Sequence, residues 1–398
     1  MSTIRIAIEG TSAHPLPALG HGLWVNHLED VDAVQTLIEQ LGGAHLELLV
    51  DLRQPGSLER LRDALSVCQR TQTEAWLLVI VSDQTPEKQI RDLARMLATA
   101  PCVPRGILAT PAAYLESYQP NGQWPNGPTP DDIAALTAEL LPGYLIGGGV
   151  PTYFTELNRC RPAAERFDYL THATSPIVHA ADDLSVMESL QSLGDIARSA
   201  RQLAHGKPYR LTTTAIGAWR NPYGGQLTPN PRRERVTLSD QDPRQRGQFA
   251  AAWTVAHYAA VQRAGVDAIA LWAVNQPFAV AESGELWPIF HALRGLNRGR
   301  GKTALDIGAS SAAVSVLAWR EEKGIQVWVA NLTGREQAIE LTGMGIDGIT
   351  RLDADTCSSA QNDPGFIHRR FSPGYGLPVI APYGVLVLDC QCNVESGL

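Results

Sequence analysis

The chain has 398 residues, 44% of them hydrophobic, and a formal net charge of -8 at pH 7. That length suits a (β/α)₈ barrel of about 250 residues with a smaller module beside it, while the acidic balance disfavours nucleic acid and anionic membranes as partners. No stretch approaches about 18 uninterrupted apolar residues, and residues 1–6 lack the basic-then-apolar pattern of a secretory leader, so a cytoplasmic protein is expected.

In chain order, short apolar runs at 19–24, 45–52, 75–82, 105–110, 143–150, 168–174, 209–216 and 267–274 alternate with segments of helical period. Several runs, such as Trp76-Leu-Leu-Val-Ile-Val, are apolar without alternation, the pattern of a parallel strand buried on both faces. Helices are predicted at 30–41, 57–69, 86–98, 131–140, 184–204 and 246–264; the first stops before Gly42-Gly43. Eight strands with helical crossovers predict a closed barrel over 1–300, with an open doubly wound sheet as runner-up. The open sheet lacks its usual G-x-G-x-x-G turn after an early strand. From about residue 301 the rhythm changes to strand-like runs at 313–320, 325–332, 337–341 and 384–388, which predict an all-β sandwich over 301–398. The basic stretch 294–302 serves as connector, and the early run 4–9 is a candidate extra strand for the C-terminal sheet. Six scattered cysteines fit neither a zinc ribbon nor a disulfide framework, so reduced thiols are expected in the cytosol.

Active-site residues of a barrel come from the ends of its strands and the loops that follow. After strand five, Gly147-Gly-Gly leads to Tyr153-Phe-Thr-Glu156-Leu-Asn158-Arg159. These residues deliver a carboxylate, an amide and a guanidinium within four positions, suited to acid/base work beside a polyol or anionic substrate; the plain alternative is a solvated loop with an ordinary salt bridge. After strand six come His172, His179, Asp182 and Asp183. They could bind a divalent metal or form a His–carboxylate pair, although the spacing matches no known metal signature, and either aspartate could simply cap the following helix. After strand seven, Trp219-Arg220-Asn221 joins an aromatic face to polar groups, as a sugar ring requires, or marks a turn driven by Asn-Pro and Gly-Gly. Asp242 and Arg244 open the next helix and either cap it or point into the mouth. Strand eight ends Val274-Asn275, with no acid. A retaining glycosidase needs a second carboxylate about 5 Å from the first, so a standard double displacement led by Glu156 is disfavoured. His21, Asn26 and His27 are weaker candidates at strand one. No metal and no cofactor is expected, and G-x-S-x-G and H-E-x-x-H are both missing from the sequence.

Between Gly147 and Glu188 the sequence resembles the D-apionate lactonase family. The resemblance rests on Gly147-Gly-Gly with Tyr153-Phe-Thr-Glu-Leu-Asn-Arg, then His179-Ala-Ala-Asp-Asp and Glu188. Arg220-Asn-Pro, Asp242-Pro-Arg-Gln, Gly265-Val-Asp, Val329-Ala-Asn-Leu-Thr and Pro382-Tyr-Gly-Val follow in order. It implies a glycosidase-like barrel with an accessory β-domain that opens the lactone of a branched sugar acid. Val274-Asn275 stand where it implies a glutamate. Three functions are therefore carried forward. The first is a hydrolase of a sugar-acid lactone, with Glu156 or a His179–Asp182 pair as base and Asn158, Arg159 and Arg220 orienting the substrate. The second is a glycoside hydrolase whose second carboxylate is Glu282 or Asp183. The third is a barrel that binds a small carbohydrate without turning it over.

Overall fold

The computed structural model describes residues 3–117, 123–374 and 376–392. After strand β1 (Ile4–Thr11), the chain lays down eight parallel strands that close in sequence order into a barrel. They are β2 (Ala18–Trp24), β3 (His45–Asp51), β4 (Glu74–Val81), β5 (Gly106–Pro111), β6 (Leu145–Tyr153), β7 (Tyr169–Ala173), β8 (Tyr209–Thr214) and β9 (Ala268–Ala273). All eight coincide with the expected runs to within three residues at either end. Strand β4 shows why: past its first residue every side chain is buried, half against the outer helices and half inside the barrel.

The crossovers are α1 (Val31–Leu41), α2 (Ser57–Thr71), α3 (Pro86–Leu97), α4 (Pro130–Leu140), α5 (Phe154–Arg159), α6 (Asp183–Glu188), α7 (Leu193–Ala204) and α8 (Gln248–Arg263). Local chemistry sets several of their starts. Asp30 caps α1 by accepting from the Ala33 N–H at 2.9 Å, and Thr129 with Asp132 forms a reciprocal capping box on α4. Beyond β9 come a two-residue hairpin, β10 (Ala281–Glu282) with β11 (Glu285–Leu286), and helix α9 (Pro288–Leu296). The stretch 294–302 therefore begins as the last turn of α9 and is not a plain connector.

The C-terminal strands are β12 (Ala304–Ala309), β13 (Val314–Glu321), β14 (Gly324–Asn331), β15 (Gln337–Leu341), β16 (Met344–Leu352), β17 (Val379–Ile380) and β18 (Val385–Cys392), with a one-turn helix α10 (Cys357–Ala360) after β16. They form one hydrogen-bonded sheet in the order β16-β18-β14-β13-β12-β1-β15-β17. Strand β1 runs antiparallel to β12 and parallel to β15. One face of the sheet encloses its own core, with Ile6, Ile307, Val316, Val327 and Leu388. The opposite face sends Leu317, Trp319, Trp328 and Val387 into the main core of the barrel. Along β13 and β14 the two destinations alternate residue by residue, the period of a pleated strand. The sandwich-like module is thus a single sheet folded over its own core, its other face docked on the barrel.

Candidate active site at the barrel mouth

The Gly147-Gly148-Gly149 run lies inside β6, and each glycine answers to a neighbour. A Cβ on Gly147 would sit 2.8 Å from the Tyr169 hydroxyl, and one on Gly148 would sit 2.5 Å from the Phe167 ring. Gly149 has φ +103°, and a Cβ there would fall 2.2 Å from the Thr171 carbonyl oxygen. Only glycine adopts that conformation without strain. Pairing with β7 slips between Gly149 and Tyr153, and the chain turns straight into α5. The segment read from sequence as a loop is a strand end followed by a short helix, with Glu156 in its first turn.

Glu156 is 2% exposed, and its Oε2 has no hydrogen-bond partner among the described residues. Burial pushes its carboxyl pKa above the usual glutamate value. The pull of its own N–H, the Arg159 guanidinium, the Tyr153 N–H and the Ser117 hydroxyl opposes that shift. Arg159 Nη1 donates to Ser117 Oγ at 3.1 Å, tying the loops after β5 and β6 together. Next to Ser117, Glu116 forms an ion pair with Arg220 at 3.0 Å. The Tyr153 hydroxyl donates to the Arg220 carbonyl at 3.0 Å, and Arg220 Nε is buried without a partner among the described residues. Across the mouth, Trp24 meets Trp219 edge-on at 6.5 Å and Phe278 at 5.2 Å. Asn275 straps the ends of β2 and β9: it accepts from the Trp24 N–H and donates to the Trp24 carbonyl, both at 2.9 Å. Asn26 does the same between β2 and β3, bonding the Asp51 N–H and carbonyl at 2.7 and 3.2 Å.

The remaining candidates scatter. His172 is fully buried, with Nδ1 2.8 Å from the Ala173 carbonyl oxygen and Nε2 2.8 Å from the Tyr209 hydroxyl; burial lowers its pKa to about 4. His179 is exposed, and its Nε2 lies 3.3 Å from the Tyr223 hydroxyl. Asp182 caps α6, accepting from the Ser185 N–H at 2.9 Å, so His179 and Asp182 have separate partners. Asp183 bridges Arg235 and Arg244, each at 3.2 Å. Arg244 in turn is bound to Asp242 at 2.6 Å and lies 5.3 Å over the Phe249 ring. Phe249 packs on Tyr383 from the C-terminal sheet at 4.8 Å, which places this ion cluster toward the junction of barrel and sheet. The exposed Asn158 accepts from Arg161 at 2.8 Å. Asn221 staples its own turn by accepting from the Tyr223 N–H at 3.0 Å. Glu282 is paired with Arg246. The structure therefore gathers Glu156, Arg159, Trp219, Arg220 and Asn275 at the mouth and gives Asp182, Asp183, Asp242, Arg244 and His172 contacts elsewhere.

Sequence reasoning passed over Glu116, Ser117 and Asp240. Glu116 and Ser117 stand just past the run 105–110, so the strand-end rule reaches them, but they carry no motif. Asp240 lies in the loop between β8 and α8. Burial raises its carboxyl pKa, with His27 nearby pulling the other way. His27 Nδ1 is itself 3.3 Å from the Gln276 carbonyl oxygen. Only the folded loops bring Asp240 beside residues of strands one and eight. Among the described residues no group of three or more His, Cys, Asp or Glu side chains is placed to hold a metal ion, and no helix is long and apolar enough to cross a membrane.

A family profile described as D-apionate lactonase, TIM barrel domain, matches residues 19–301, and one described as D-apionate lactonase, C-terminal immunoglobulin-like domain, matches residues 311–388. The D-apionate lactonase of Brucella anthropi is 36% identical over 245 residues, which are 60% of this chain and 40% of that protein. The match thus spans well under half the length of that relative. Among solved structures, the bifunctional glucanase-xylanase CelM2 from a metagenome library superposes with a TM-score of 0.63 at 12% identity, covering 98% of this chain and 99% of that one. A GH30 endoxylanase from Clostridium papyrosolvens gives 0.61 at 9% identity, covering 98% and 100%. At such identities the likeness is one of fold.

Proposed function

The chain belongs to the D-apionate lactonase family, and from that premise we propose that its barrel mouth adds water to the carbonyl of a sugar-acid lactone, the lactone of D-apionate being the first to offer. The observation that carries this reading is Glu156, a buried carboxylate with one oxygen unengaged among the described residues. A lactone carbonyl is already electrophilic, so one general base and one cationic donor suffice. A water oxygen attacks the carbonyl carbon while its proton passes to Glu156 Oε2. The negative charge that develops on the carbonyl oxygen faces Arg159 or Arg220. The bond from that carbon to the ring oxygen then breaks, and the proton on Glu156 goes to the departing alkoxide. The product is the open hydroxy acid, and Glu156 is restored. Trp219, half-buried and backed edge-on by Trp24, offers an apolar face to the sugar ring, and His179 with Tyr223 offers polar contacts at the rim.

Glu156→Gln tests this directly: kcat/KM toward aldonolactones should fall by about 10²–10⁴ with the fold retained by circular dichroism. Undiminished turnover removes Glu156 from the reaction.

A second reading, glycoside hydrolysis, draws on Glu116. Asp183, Glu282 and Glu116 are all held in ion pairs, but Glu116 adjoins Ser117, which accepts from Arg159, and so brings a second carboxylate to the same side of the mouth as Glu156. This reading expects release of aryl alcohol from aryl glycosides, abolished in Glu116→Gln. Silence across a broad aryl-glycoside panel dismisses it.

A further inference from the structure

At the opposite end of the barrel, where its strands begin, lies a cavity of about 600 Å³. It is framed by Ala18, His45, Glu74 and Arg210, near the starts of four barrel strands, and by Arg300 beyond α9. Nothing in the proposed chemistry of the mouth uses it.

Three cationic or polar groups there are under-employed. His45 is 1% exposed, yet its Nε2 has no hydrogen-bond partner among the described residues. The nearest carboxylate oxygen, Glu47 Oε1, is 3.8 Å away, beyond hydrogen-bond reach. Gly20 leaves room for the ring, since a Cβ there would sit 2.5 Å from His45 Nε2. Arg210 is nine-tenths buried, and its Cζ lies over Trp76, 3.6 Å from the ring centroid, the spacing of a stacked guanidinium. Of its five N–H donors, the one contact among the described residues is Nη2 to Glu47 Oε1 at 3.5 Å, a long and weak one. Stacking occupies the face of the guanidinium and leaves its edge, the part that binds oxyanions in bidentate fashion. Arg300 is exposed and has no ion pair among the described residues.

The two carboxylates close by are both engaged. Glu47 accepts from the Thr212 hydroxyl, and Glu74 accepts from the Trp76 indole N–H at 2.6 Å. Burial, then Arg210, His21 and Arg300, hold the His45 pKa well below its usual value, so its ring is neutral and able to donate one N–H.

We propose that this cavity is a second binding site, which takes a small oxyanion, phosphate or carboxylate, between the edge of Arg210, the ring of His45 and the guanidinium of Arg300. An anion there would give short, charge-assisted contacts to donors that now have only long ones or none.

The test is titration calorimetry of the full chain with inorganic phosphate and, separately, with acetate, at fixed ionic strength with chloride as background. Saturable binding of at least one is expected, and Arg300→Ala should weaken it about tenfold or more. Lactone turnover at the mouth should be unchanged in that variant. Arg300 is exposed, so its removal should not disturb folding; Arg210→Lys, checked by circular dichroism, probes the buried partner. Glu156→Gln should bind the anion as wild type does, which separates this site from the mouth. If neither anion saturates, or if Arg300→Ala binds as wild type does, the site is refuted. Phosphate without acetate, or the reverse, identifies which oxyanion the geometry selects.

Discussion

Glu156 concentrates the cost and the use of the mouth in one side chain. Its folded pKa is raised, so the fold prefers the protonated form. Stability is therefore full below the ordinary glutamate pKa and declines as pH rises through the higher folded value. Urea unfolding at pH 5 and pH 8 should show that decline in the wild type and a smaller one in Glu156→Gln, with the variant the more stable at pH 8. Catalysis has the opposite sign, since a general base must be ionised. The acid limb of kcat/KM against pH should rise with a midpoint above the usual glutamate range; a midpoint at or below that range would contradict the assignment. Asn275 shows a different economy. Its amide makes two bonds to the backbone of Trp24, and Asn275→Ala leaves that N–H and carbonyl without these partners. The expected loss is about 2 kcal/mol in urea unfolding. A sequence can display an asparagine after strand eight, but not that its partner lies 251 residues away.

At the scale of the element, β6 and α5 carry the site. The Gly run reads at once as a place of close approach, and its position at the end of strand five is legible from strand counting. The neighbours that require each glycine, Phe167, Tyr169 and Thr171, belong to the next strand and its approach. Their contacts rank the substitutions. Gly147→Ala meets the Tyr169 hydroxyl and the Leu108 Cβ, and should cost about 1–3 kcal/mol. Gly149→Ala meets a backbone oxygen that cannot swing aside and also demands φ +103°, so it should cost more than Gly147→Ala and shift Glu156. Thermal unfolding and kcat/KM of both variants check the order; equal effects would mean that the Gly149 turn is not what sets the start of α5. Helix α5 itself is six residues long, too short for a periodic pattern to announce. Likewise Asp182 and Asp183, adjacent in sequence, diverge in structure: one caps its own helix, and the other joins an ion cluster with Arg235 and Arg244.

Across the whole molecule, α8 is the hinge of the design. It is buried on nearly every side, because the barrel covers one face and the C-terminal sheet the other. Its apolar run Phe249-Ala-Ala-Ala-Trp253 shows that pattern in sequence, where no polar stripe survives. Trp328 of β14 belongs to the same core cluster, and a Cβ on Gly295 of α9 would sit 2.3 Å from its ring. Barrel and sheet should therefore unfold in one calorimetric transition, and Trp328→Ala should destabilise that single transition by about 3–5 kcal/mol. Two separate transitions would show that the shared core does not couple them.

The sequence by itself determined the barrel, its eight strands and the change to β-structure near residue 301, because those features rest on local hydrophobic period and on turn residues. It also determined that Glu156 stands at a strand end. Tertiary structure alone decided which charged groups near the mouth are committed to ion pairs and caps and which are not. It paired Glu116 with Arg220 across 104 residues, brought Asp240 within electrostatic reach of His27, and left an oxygen of Glu156 buried and unengaged among the described residues. Such outcomes depend on which distant loops meet, and the hydrophobic period that builds a strand carries no information about the polar groups at its end.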